Sequence, residues 1–360
     1  MWPILLTLVV VLVCAIDLAF VAWAYALDDR PSRIDVQTAD GWTVTAWHRP
    51  AARRRFSVPV VLCHGLANNH AFMEFRGDQN LAKFLSGLGF DCYSLDLRGA
   101  GQTRAPDDQG PWDATVDDHV RFDLPALVDE ISRRSGSRQV VWVGHSLGGV
   151  VALAAASTSL RDRFAALVTI GSPVFFSFPR RLTWLIKLAC ALSPWGQFNA
   201  NVLKVIAPFA GRTPAPPIAH ATANLRNVAP LAQRYLVANV FAPMWKGVLS
   251  QLEDWVAHDA LRSRDGLVDY RAGVETLRMP MLVIGGTVDH LAPPDATARL
   301  FSLVKAPQRE LAIFGAQHGH SADYGHGDLI IGARAHLEVY PVLERFLTTH
   351  LTAAESRTGS

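Results

Sequence analysis

Neither sign of charge dominates this 360-residue chain: 34 Lys and Arg stand against 32 Asp and Glu, a net charge of +2. With no basic excess and no basic stripe, nucleic acid is not an expected partner. Cysteine is scarce. Cys14, Cys63, Cys92 and Cys190 form no C-x-x-C pair, which argues against a disulfide framework or a structural zinc site. Buried, reduced packing cysteines are expected instead. Charged residues make up 18% of the chain and apolar ones 50%, which is too apolar for a disordered polymer. The 26 Gly and 21 Pro follow no period, and no internal repeat is visible, so collagen-like and solenoid architectures fall away. The length suits one large α/β domain with an insertion, or two domains.

What is abundant is apolar surface at the start. Residues 1–27 are interrupted by Pro3, Thr7 and Asp17 alone. A helix of about 25 residues at about 1.5 Å each exceeds the roughly 30 Å hydrocarbon core of a bilayer. A retained single-pass transmembrane helix is therefore expected. The small-residue patterns Ala22-Trp23-Ala24 and Ala24-Tyr25-Ala26 keep a cleaved signal open. Asp17 near mid-span is costly; it reads as a tolerated defect in a long span, with neutralisation or pairing within an oligomer as the alternative. Trp23 and Tyr25 suit an interfacial belt. No Lys or Arg precedes the run while Arg30 and Arg33 follow it, which points to a cytoplasmic body.

A hairpin is expected next, over residues 34–37 and 42–47 about an Asp40-Gly41 turn. Arg53, Arg54 and Arg55 fall in the following loop. From residue 58 strands and helices alternate. Strands are predicted at 58–63, 91–96, 139–143 and 166–170, and helices at 79–88, 116–134 (with Pro125 inside) and 147–159. The continuous apolar run at 58–63 fits a strand buried on both faces of a parallel sheet, and the repeated βαβ units predict a doubly wound, mostly parallel sheet. Alternation stops over residues 174–279, which lack clear strands and read as an inserted helical cap, with a helix-like stretch at 231–255. It resumes with strands at 281–285 and 310–314, a helix at 294–303 and a last helix at 331–351. The small polar tail 352–360 is expected to fray. The division is thus an anchor at 1–27, core at 34–173, cap at 174–279, core again at 280–351, and a flexible tail.

The most specific motif is Gly144-His145-Ser146-Leu147-Gly148, between an apolar strand and a helix. A strand that turns sharply through G-x-S-x-G into a helix exposes the serine hydroxyl at the helix N-terminus, where developing negative charge is favoured. Gly144 and Gly148 supply the small flanks such a turn needs. Ser146 is the candidate nucleophile.

On these residues the sequence resembles the α/β-hydrolase superfamily over roughly residues 34–350. Cys63-His64-Gly65 ends the first buried strand, and the resemblance implies an oxyanion hole made of the backbone N–H groups of Leu66 and Leu147. Asp96-Leu97-Arg98-Gly99-Ala100-Gly101 looks like the family's D-x-R-G-x-G turn, with Arg98 structural. The family order of serine, acid and histidine puts the acid at Asp289, just past the strand at 281–285. For the base, His326 lies in Tyr324-Gly325-His326-Gly327-Asp328, which resembles the H-x-D-x-x-x-G stretch of acid lipases and related bacterial esterases, as does Val339-Tyr340-Pro341. His320 and His318 stay open as alternatives.

The implied chemistry is two-step hydrolysis of a carboxylic ester through an acyl-enzyme on Ser146, with His326 as base and Asp289 holding its tautomer. No metal or organic cofactor is expected. A Cys at position 146 would have pointed to a polyester synthase. Phe175, Phe176, Phe178, Trp184, Trp195, Phe198, Phe209, Phe241, Trp245 and Trp255 make the cap aromatic. Arg180 and Arg181 precede an apolar stretch at 182–192 that carries Lys187, and these cations suit lipid headgroups. A lipid-like ester with a medium or long acyl chain, met at the membrane, is the expected substrate. A thioesterase, an acyltransferase or a non-catalytic ligand-binding protein of the same fold are the alternatives.

Overall fold

The computed structural model describes residues 2–26, 31–106, 113–176, 197–198, 204, 207–215 and 217–358. The apolar stretch 182–192, its flanking cations, Phe178, Trp195 and Cys190 lie outside these, as do the side chains of Trp23 and Tyr25.

An apolar helix α1 (Trp2–Ala26) leads into the hairpin β1 (Ser32–Gln37) and β2 (Thr43–Arg49). Then come β3 (Val60–Cys63), α2 (Leu81–Leu88), β4 (Cys92–Asp96), α3 (Val116–Asp118), α4 (Leu124–Ser135), β5 (Val140–His145), α5 (Leu147–Ala156) and β6 (Phe164–Ile170). After the cap region, with the short pair β7 (Gln197–Phe198) and β8 (Met244–Trp245), the core closes with β9 (Met281–Gly286) and β10 (Arg309–Phe314). The eight-stranded sheet runs β1-β2-β4-β3-β5-β6-β9-β10. Its members from β4 onward are parallel, and β1 and β2 are antiparallel at one edge.

Burial on both faces follows from the apolar runs. In β3, Val61 and Cys63 join one core layer while Val60 and Leu62 join the other. The order also decides where chemistry can sit. From β3 the chain goes to β4 on one side and then returns to β5 on the other, so the loops leaving β3 and β5 diverge and open a crevice beyond their C-terminal ends.

Three elements differ from the sequence reading. The helix expected at 116–134 contains a wide turn at His119–Asp123. Pro125 has no N–H to offer the Arg121 carbonyl, so the helix widens just before it. The stretch at 231–255 is not one helix. It divides into the helix Pro230–Tyr235, a wide turn Leu236–Val240, β8 and the helix Lys246–His258. There the backbone bonds elsewhere: Asn69 N–H donates to Val240 O (3.1 Å) and Ala242 N–H to Ala67 O (2.8 Å). Pro243, with no N–H, follows the break. The last helix is split at Gly332 and again ahead of Tyr340, into Asp328–Ile331, Ala335–Glu338 and Tyr340–Thr358. Its final piece extends through most of the residues expected to fray, where Ala353 and Ala354 favour helix and neither Gly nor Pro intervenes before Thr358.

Helix α1 is the one helix among the described residues long and apolar enough to cross a membrane. Asp17 is not a lone defect in it. It is 8% exposed and pairs within the same chain with Arg212 (2.5 Å) and Arg234 (3.2 Å).

Candidate active site

Ser146 stands between β5 and α5 at φ +53°, ψ −121°, a strained conformation for a residue with a Cβ. The surrounding contacts impose it. A Cβ on Gly144 would lie 2.4 Å from the backbone of Gly148 and Gly149, and one on Gly148 would lie 2.4 Å from Cys63 O. Backbone cannot retreat as a side-chain end can, so both positions must be glycine. Trp142, fully buried, donates from Nε1 to Gly148 O (3.0 Å) and braces the turn from below. Gly144→Ala is expected to destabilise the fold by at least about 2 kcal/mol through overpacking. Chemical unfolding of the two proteins checks this, and an unchanged midpoint would contradict the account.

Asp289 and His326, 37 residues apart, meet. His326 Nδ1–H donates to Asp289 Oδ2 (2.9 Å), and both residues are buried, at 4% and 2% exposure. The other carboxylate oxygen of Asp289 accepts from Leu291 N–H and Ala292 N–H (both 2.8 Å). The pair lies over the glycine that ends β6: a Cβ on Gly171 would be 3.1 Å from both Asp289 Oδ2 and His326 Nδ1. Ser146 borders the same place, its N–H donating to Ile170 O (2.9 Å). His145 ties the two loops together by donating from Nε2 to His326 O (3.1 Å), with ring centroids 4.6 Å apart. Burial, with the neighbouring His326 imidazole adding to it, pushes His145 well below the ordinary histidine range. It is therefore neutral and serves as a brace.

The other histidines sit elsewhere. His320 Nδ1 is engaged with its own turn, 3.2 Å from Gly315 N and 3.1 Å from Gly315 O, beside Phe314. His318 is exposed, next to Gln317. Neither has a hydrogen bond to Asp289 among the described residues.

Leu66 follows the His64-Gly65 turn after β3, and Leu147 opens α5. Neither backbone N–H donates to a protein acceptor among the described residues. Both residues border a small open pocket, also lined by Gly65, Gly99, His119 and Trp245. Gly65 lies close behind the Ser146 turn; a Cβ there would come 2.9 Å from Ser146 Cβ.

Two features escape a reading from sequence. One is the buried polar floor. Asp96 accepts from His70 N–H (2.7 Å) and Trp47 Nε1 (2.9 Å), with His70 Nδ1 at 3.0 Å. Burial alone would raise its carboxyl, but the His70 charge and these bonds hold it below the usual carboxylate range. Arg98 spans Asp40 and Asp123, and His119 also bonds Asp123; the structural role expected of Arg98 is thus its observed arrangement. The other is Asp328, which accepts from Gly325 N–H, Asn224 N–H and Asn227 Nδ2 (2.9–3.0 Å). Burial raises its carboxyl, with these donors opposing. The H-x-D spacing flagged Asp328, but two of its partners, Asn224 and Asn227, lie about a hundred residues away.

This arrangement of strands and loops has known counterparts. Residues 58–321 match the α/β-hydrolase fold family. The chain belongs to that family. The match ends short of His326. Among curated relatives, a poly(3-hydroxyalkanoate) polymerase subunit of Haloferax mediterranei is 23% identical over 337 residues, covering 85% of this chain and 61% of that protein. Triacylglycerol lipase 2 of Arabidopsis thaliana is 31% identical over 186 residues, covering 46% of this chain and 44% of the lipase. The chain thus spans about half the length of these two relatives. Among solved structures, an esterase from Thermogutta terrifontis superposes with a TM-score of 0.58 at 17% identity, covering 89% of this chain and 99% of that one; that likeness concerns the fold.

Proposed function

We propose that this hydrolase-fold chain cleaves carboxylic esters through an acyl-enzyme on Ser146. The observation that carries the reading is the buried Asp289–His326 hydrogen bond over Gly171, beside the strained serine turn. With Nδ1 protonated toward Asp289, the His326 ring has Nε2 free to accept a proton. Ser146 Oγ attacks the ester carbonyl as its proton passes to His326. The N–H groups of Leu66 and Leu147 hold the oxyanion, each worth about 3 kcal/mol in the transition state. His326 then protonates the leaving alcohol, and in the second half-reaction takes a proton from the water that releases the acid.

The lipase relative supports an ester substrate. The exposed apolar α1 and the aromatic cap support a lipid-like one, with a medium or long acyl chain, reached from a membrane in which α1 is the anchor. Arg30 and Arg33 favour a body on the cytoplasmic side. A fluorophosphonate probe tests the chemistry. Labelling of the wild type and its loss in Ser146→Ala is the expected result, and an unlabelled wild type would leave a fold without turnover. Rates on aryl esters are expected to rise from acetyl toward longer chains; a strict preference for acetyl would overturn the acyl-chain reading. The polymerase subunit, which matches most of the chain, favours one second reading: transfer of the acyl group to an alcohol instead of water. Adding alcohol acceptors and measuring new ester against free acid separates the two.

A further inference from the structure

The apolar helix α1 and the body meet along one narrow stripe. Among residues 2–19, Cys14, Asp17 and Leu18 are covered by the body, while the others are exposed. Spacings of three and four place these three on a single helix face. At the centre of the stripe the Asp17 carboxylate lies between two cap arginines, Arg212 and Arg234. The cap joins these two cations into one surface, because Gly211 packs directly on Pro230, a Cβ there being 2.7 Å from Pro230 Cα. One helical turn before Arg212, and bonded to it through Arg212 N–H to Phe209 O (3.0 Å), Phe209 is 41% exposed.

Asp17 therefore cannot lie at mid-bilayer while the clamp is closed, since the cap would have to follow it. The apolar length ahead of the first residue the body covers is residues 2–13, or about 18 Å at about 1.5 Å per residue. That falls short of the roughly 30 Å hydrocarbon core by about 12 Å. A short apolar helix fixed rigidly to a polar body draws that body into the interface or thins the bilayer. The chemistry of the cap beside the clamp suits the first outcome: the exposed Phe209 ring and the half-exposed Arg212 match a headgroup layer, with anionic phosphate for the cation and acyl-chain ends for the ring.

We propose that the Asp17–Arg212–Arg234 clamp marks the membrane boundary and seats the cap surface around Phe209 and Arg212 in the headgroup layer of a lipid bilayer. The inference deepens the reading of a lipid-like ester substrate and rests on α1 being a retained membrane anchor. The cap held in this way is also the part that grips the loop of His326. Gly327 N–H donates to Thr222 O (2.8 Å), and Asn224 and Asn227 bond Asp328. The membrane face and the base loop are thus joined through a short run of cap residues.

The test uses the full chain reconstituted in phosphatidylcholine vesicles, with an environment-sensitive fluorescent amino acid at position 209. Lipids brominated high on the acyl chain are expected to quench it. Asp17→Asn is expected to abolish that quenching and to lower hydrolysis of a vesicle-borne ester relative to a soluble short-chain ester by roughly tenfold, because it leaves Arg234 without its counter-charge. Arg212→Gln with Arg234→Gln should reproduce both effects. The Asp17→Asn protein should keep its activity on the soluble short-chain ester, which a merely unfolded variant could not do. An unquenched probe in the wild type on vesicles overturns the proposal, as does quenching indifferent to Asp17→Asn. So does a dimer in which α1 is covered by a second copy, read by single-molecule photobleaching. Depth is read without catalysis, so quenching without hydrolysis would indict the proposed function, and hydrolysis without quenching would indict the clamp.

Discussion

Ser146→Ala is expected to lower kcat/KM on a preferred ester by about 10⁴- to 10⁶-fold while the melting temperature stays near that of the wild type. The size follows from what is removed. Alanine keeps the Cβ, so the turn at φ +53° is neither relieved nor worsened, and the packing against Gly65 is unchanged. The proposed oxyanion donors at Leu66 and Leu147 also remain. What goes is the sole atom in the proposal that can bond to the acyl carbon. Residual turnover over water, carried by oxyanion stabilisation and binding alone, is expected to persist at a low level. A variant that keeps activity within tenfold of wild type would mean that another group carries the attack. One that loses activity together with its thermal transition would say only that the turn is needed for folding.

The parts of this fold that were legible in the sequence are those set by local pattern. The apolar run ending at Cys63 carries a buried strand, and the passage from Val140 through Ser146 into α5 carries a strand, a turn and a helix start within a few residues. Asp289 is reachable through the α/β-hydrolase order and His326 through the acid-lipase stretch, and the two meet in a buried hydrogen bond. The choice between His326 and His320 was not legible, because it depends on which ring the loop after β10 turns inward. Phe314 and Gly315 retain His320, while His145 reaches across to the backbone of His326. Long-range partners were equally invisible. Asp17 looked like a flaw in an apolar helix because its cations lie 195 and 217 residues away. The cap stretch at 231–255 looked helical because its periodicity says nothing of the Asn68–Asn69 turn that captures the backbone at Val240 and Ala242. Local chemistry specifies elements, whereas breaks in them arise where distant backbone competes for the same hydrogen bonds.

Asp289→Asn is the more discriminating substitution, and it is expected to reduce kcat by about 10⁴-fold with little change in stability. Its effect depends on the orientation of the amide. In the wild type one carboxylate oxygen accepts from the N–H groups of Leu291 and Ala292, and the other accepts from His326 Nδ1–H. An asparagine must keep its oxygen toward the two backbone donors, since turning its NH₂ there would set donor against donor and leave buried N–H groups unpaired. The NH₂ is thereby aimed at His326 Nδ1, which must become an acceptor. The neutral imidazole then carries its proton on Nε2, the nitrogen that serves Ser146 as base in the proposed reaction. The ring stays in place and the packing is intact, yet the tautomer is wrong. Proton chemical shifts of the two ring nitrogens would report the switch directly, and His320→Asn should leave both the shifts and the rate nearly unchanged. If Asp289→Asn retained most of the wild-type kcat, orientation of His326 by Asp289 would not be part of the reaction, and the buried pair would be a structural link between the loops after β9 and β10.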